Sequence, residues 1–115
     1  MGNLKEFVLL FRLPQEDNQL TNERAAKINQ QWKKFIALIA SQVKLVNVSR
    51  LSFEGTIIKS DLSVVHKTVL ENGFFVSGNL TMKSETIENV ILVAKKCPIL
   101  LVGGTVEVRQ TIPLN

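Results

Sequence analysis

One cysteine in 115 residues, Cys97, leaves no possibility of an intramolecular disulfide framework or of a cysteine-based zinc site. It falls on the apolar stripe of an expected helix, where a thiol acts as a small core residue, and this cysteine usage fits a reducing cytoplasm. Histidine is as scarce, with His66 alone. The chain has no P-loop, no dinucleotide-binding glycine pattern and no cluster of metal-ligating residues, so no cofactor and no metal are expected. Long hydrophobic runs are missing too. The opening M-G-N-L-K-E-F-V-L-L-F-R has five consecutive apolar residues before Arg12, too few for a signal peptide or a membrane span. Gly2 is not followed by Ser or Thr at position six, as a myristoylation start would require. The net charge of +4 is dispersed, its only pairs being Lys33-Lys34 and Lys95-Lys96 on expected helices. Those read as solvated faces, with neither the basic stripe nor the stacking array of a nucleic-acid binder. The expectation is a cytoplasmic protein with no membrane or nucleic-acid partner.

What is present is the composition of one globular domain, 45% hydrophobic and 21% charged, spanning residues 1–115. Lys5 to Leu13 reads as a first strand whose core, Phe7 to Phe11, is apolar on both parities and therefore calls for cover on both faces. Leu20-Thr21 offers a staple and N-cap for a helix over about 22–42, with Ala25, Ile28, Trp32, Phe35, Ile36 and Ile39 on one stripe. Leu45 to Phe53 is a twisted or bulged strand near an edge, since polar residues interrupt it. Thr56 to Ile58 and Ser63 to His66 form the arms of a hairpin turning at Lys59 to Leu62, with Asp61 as turn former.

Asn72-Gly73 then turns the chain into the strand Phe74 to Met82. By parity this strand sets an apolar face of Phe74, Val76, Gly78, Leu80 and Met82 against a second face of Phe75, Ser77, Asn79 and Thr81. The hydroxyls and amide of that second face make it a candidate pocket floor. Ser84 is the expected cap of a second helix, with Ile87, Val90, Ile91, Ala94 and Cys97 as its stripe, Lys95 and Lys96 in its last turn, and Pro98 ending it. Gly103-Gly104 leads into a last strand, Thr105 to Ile112.

This order is that of a ferredoxin-like α+β fold with a small β-hairpin insertion, and right-handed crossovers put both helices on one side of the sheet. The other side is left bare although strand one is apolar there as well. In so short a chain a second copy is the economical cover, so the expected assembly is a homodimer with sheets packed face to face.

The segment K-K-C-P-I-L-L-V-G-G-T-V-E-V-R, Lys95 to Arg109, resembles the closing segment of YCII-related (DGPF-type) proteins. The resemblance extends through Asp61 to Leu80, Phe7 to Arg12 and Lys27 to Val46, covering most of the chain. It implies a dimeric α/β barrel in which two sheets enclose clefts. The family's Asp-Gly-Pro-Phe signature falls on His66-Lys67-Thr68-Val69, and the helix-borne histidine of its better-studied branch falls on Trp32. The acid/base pair proposed for that branch therefore has no counterpart at these positions.

The chemistry the residues offer is sparse. His66 could shuttle protons at neutral pH if it faced a cleft, or be an exposed hairpin residue with no role. Glu107 and Arg109 share a parity with Thr105 and Thr111; they could grip a polar or anionic small molecule, or pair with each other or across a dimer. Arg12 is a third charge for the same cleft or the solvent end of strand one, and Ser77 and Asn79 would complete the lining. Two function classes follow: a dimeric small-molecule-binding protein with its cleft between the sheets, or a cofactor-independent lyase, isomerase or oxygenase acting on a small polar organic substrate. A regulatory protein partner is a further form of the first class.

Overall fold

The computed structural model describes residues 3–15, 22–42 and 44–114. Among the described residues, six strands, two α-helices and one 3-10 helix follow in the order β1 (Lys5–Pro14), α1 (Asn22–Gln42), β2 (Lys44–Arg50), β3 (Ile57–Ile58), β4 (Val64–Val65), β5 (Phe74–Ser84), α2 (Ile87–Ala94), the 3-10 helix (Pro98–Val102) and β6 (Thr105–Gln110). The expected cap and staple of α1 at Leu20 and Thr21 lie outside the described residues. Four strands pair antiparallel in the order β2-β5-β1-β6, an α+β arrangement compatible with the ferredoxin-like class, and β3 with β4 makes a separate two-stranded arm.

The core lies between one sheet face and both helices. Phe7, Leu9 and Phe11 of β1, Leu80 and Met82 of β5, Phe35 and Ile39 of α1, and Val90, Val93 and Ala94 of α2 are all buried there. Period-two spacing in the strands and period-three-to-four spacing in the helices bring these residues to one layer boundary. Trp32 closes the rim of that core, half-buried and edge-on to Phe11 at 5.4 Å and to Phe35 at 5.7 Å.

Two bulges correct the parity expected of the strands. In β5, Gly78 pairs with Phe11 but Val76 pairs with Arg12, so Ser77 is an extra residue with no counterpart on β1. Beyond it the faces exchange. Val76, expected in the core, shares the opposite face with Arg12, while Phe75 comes opposite Leu13 and stacks edge-on against Phe53 at 4.8 Å. In β2 the register slips between Leu45 and Asn47, so that Leu45 and Val48 both face the core while Val46 is left 51% exposed. The expected bulge in this edge strand is thus present, but the strand ends at Arg50, before Leu51 and Phe53.

The second helix is shorter than expected and capped differently. Thr86, not Ser84, is the N-cap: its Oγ1 accepts from the Asn89 N–H at 3.3 Å. Ser84 is buried as the last residue of β5, where its hydroxyl donates to the Thr86 carbonyl at 3.0 Å and shapes the turn into the helix. Val93 replaces Ile91 in the stripe, Ile87 and Ile91 are exposed, and Lys95 and Lys96 fall after the last helical residue. Helix α2 has ended at Ala94 before Pro98 is reached, and Pro98 instead opens a 3-10 helix that returns the chain through Gly103, at φ 82°, to β6.

The arm forms where the turn chemistry placed it. Asp61 Oδ1 accepts from the Ser63 N–H at 2.9 Å and from the Ser63 hydroxyl at 2.6 Å, which bends the chain between β3 and β4. Asn72 and Gly73, at φ 53° and 81°, make the return turn before β5. The arm gives the molecule extents of 47 × 45 × 20 Å and a radius of gyration of 15.9 Å, against about 13 Å for a compact chain of this length.

Candidate functional site on the open face of the sheet

The helices cover one face of the sheet, and the register fixes what the other presents. Ser49 of β2, Asn79 of β5, Leu10 of β1 and Glu107 of β6 form one cross-strand row. Asn47, Thr81, Val8 and Arg109 form the next, and Val76, Arg12 and Thr105 a third. Half-buried apolar side chains from β1 therefore run between an amide-and-hydroxyl flank and a charged flank. Asn79 and Glu107, two strands apart, have backbones about 10 Å from each other.

The charged flank is built. Glu107 accepts from Arg12 Nη1 through Oε1 at 2.6 Å and from Arg109 Nε through Oε2 at 2.6 Å. One carboxylate thus bridges two guanidinium groups, leaving a local charge of +1. The Arg109 guanidinium beside Glu107, and then that of Arg12, hold its carboxyl below the ordinary glutamate range. The Arg12 side chain is 23% exposed and that of Arg109 68%. Arg109 uses only Nε for this pair, so its two terminal NH2 groups have no partner among the described residues and face solvent. The outward edge of the guanidinium is an open donor edge, while Glu107 holds the group at Nε.

The structure brings Arg12, Glu107 and Arg109 together and sets Asn79 on the same face, as parity suggested. Ser77 is not part of the lining: as the bulge residue it spends its hydroxyl on the Phe11 carbonyl at 3.2 Å. His66 stands on the exposed arm, outside the four-stranded sheet, with Nδ1 3.2 Å from the Thr56 hydroxyl and no carboxylate as its hydrogen-bond partner. Asn47 and Ser49 were missed as lining residues. Their signal was present, since amide and hydroxyl groups inside a strand repeat the pattern of Asn79 and Thr81 on the neighbouring strand.

Cys97 is buried, and burial pushes its thiol up to about 11, so it stays protonated and unreactive at neutral pH. Among the described residues no group of three or more His, Cys, Asp or Glu side chains is placed to hold a metal ion, and no helix is long and apolar enough to cross a membrane. A depression of about 390 Å³ lies on the arm between Ile57, Val65 and Leu70, away from the charged cluster. No protein-family model matches this chain, and no curated protein matches its sequence.

Proposed function

We propose that the protein is a homodimeric binder of small polar or anionic molecules, in which two open sheet faces meet and enclose a cleft at the Arg12–Glu107–Arg109 cluster. The observation that supports this reading is the exposed Arg109 guanidinium, oriented by Glu107 and presenting free NH2 groups on a sheet face that no helix covers. Val8 and Leu10 beside it are apolar surface that a second copy would bury. The resemblance to YCII-related proteins favours the same assembly, a dimeric barrel in the cytoplasm. Among the described residues no general base stands in the cluster: Glu107 is committed to two guanidinium groups and His66 is on the arm. Binding therefore accounts for the site better than turnover does.

The test is thermal-shift titration with small carboxylates and hydroxylated aromatics, alongside sedimentation. The expected result is stabilisation that Arg109→Ala abolishes while the dimer persists, and that His66→Ala leaves intact. If Arg109→Ala dissociates or unfolds the protein instead, the guanidinium is a structural partner and the binding reading fails.

A further inference from the structure

The helix layer has an unfilled surface of its own, on the side of the sheet away from the charged cluster. Helix α2, I-E-N-V-I-L-V-A, is apolar on almost every side. Such a helix belongs inside a protein. Yet only Val90, Val93 and Ala94 are buried, while Ile91 is 39% and Leu92 61% exposed. In the 3-10 helix that follows, Leu101 is 65% exposed.

Between α1 and the 3-10 helix lies an open groove of about 230 Å³, with Phe35, Leu38, Pro98 and Leu101 along it and Lys34 and Lys96 at its edges. Neither lysine is in an ion pair among the described residues. The groove is smaller than the roughly 300 Å³ at which small-molecule sites begin, and it is open along its length. Its dimensions suit one or two anchoring side chains of a docked helix. The two unpaired ammonium groups, and the +4 charge of the chain, select for acid on the incoming helix.

We infer that this groove docks an acidic amphipathic helix of a partner protein, whose apolar anchors seat against Leu38 and Leu101 while its flanking carboxylates meet Lys34 and Lys96. The inference does not depend on the sheet-face site, since the two surfaces lie on opposite sides of the sheet.

The experiment titrates the full chain into a fluorescent helical peptide of about 18 residues, with Leu at i, i+3, i+4 and i+7 and Glu elsewhere, and into a twin with Lys for Glu. Anisotropy should show the acidic peptide binding at least about tenfold tighter than its twin. Leu101→Asp, at an exposed position that leaves circular dichroism unchanged, should weaken it by about tenfold or more. The double variant Lys34→Glu/Lys96→Glu should reverse the preference toward the lysine twin. No binding of the acidic peptide up to about 1 mM overturns the inference, as does binding that Leu101→Asp leaves unchanged. If Leu101→Asp alone changes the sedimentation of the protein without peptide, the groove is an interface between copies of this chain and the partner reading falls.

Discussion

Alternate residues of β1 occupy two different environments. Phe7, Leu9 and Phe11 are 1%, 0% and 3% exposed beneath the helices, whereas Val8, Leu10 and Arg12 are half-buried on the open face. Both sets are carried by the same ten residues and joined to the same neighbours β5 and β6. The difference lies in what stands above them. On the covered side every cross-strand neighbour is apolar or glycine from Phe7 to Phe11 along β5, so the face is complete within one chain. On the open side, Leu10 sits between Asn79 and Glu107, and Val8 between Thr81 and Arg109. An apolar strip one strand wide between polar flanks is too narrow to drive a dry core, but it suits an interface that also holds water or a ligand.

The largest effect that would sharpen this contrast is on the covered side. Leu9→Ala should cost about 3–5 kcal/mol in urea titration, at any protein concentration, because it opens a cavity beneath both helices. Trp32→Ala, at the half-buried rim, should cost less, about 2–3 kcal/mol, through loss of its contacts with Phe11 and Phe35. A loss below about 1 kcal/mol would show that the rim contributes little to the core. On the open side, Leu10→Asp should leave the far-ultraviolet circular dichroism intact but convert a dimer to monomer in sedimentation. An effect as large and as independent of concentration as that of Leu9→Ala would abolish the distinction between the faces.

The smallest effects concern Glu107. Its folded-state carboxyl is held below the ordinary range by Arg109 and Arg12, so its contribution to stability is present above that range and fades as pH falls through it. Melting temperature measured against pH should therefore fall less steeply on the acid side for Glu107→Gln than for the parent chain. The same variant removes the carboxylate that competes for both guanidinium groups. Anion binding should tighten by about threefold to tenfold if Arg109 needs no help to hold its orientation. Weaker binding would show that Glu107 orients the site more than it competes with the ligand.

The sequence showed most of the body and the outline of the arm, because both rest on local signals: the periodicity of α1, the Asp61 turn, and Asn72-Gly73. It failed wherever one residue changed the count. Parity cannot register an inserted residue, so Ser77 shifted Val76 and Phe75 to faces opposite those expected. The cap of α2 was misjudged because Ser84 and Thr86 have interchangeable capping chemistry, and only the end of β5 decides between them. The charged cluster was legible as a shared face, but its state was not. Spacing alone could not say whether Glu107 and Arg109 wait for a ligand or hold each other; the geometry has them bonded, with Arg12 joined to the same carboxylate.

The two bulges stand in β2 and β5, the strands that flank the arm on either side in the chain. Each reverses the facing of whatever lies between it and the arm, while the pairs that seal the core, Leu9 with Leu80 and Phe7 with Met82, sit on the other side of the Ser77 bulge. Loss of Ser77 would return Val76 and Phe75 to the alternation of the rest of β5 and re-aim the arm against the sheet, while leaving the Leu9–Leu80 and Phe7–Met82 pairs in register.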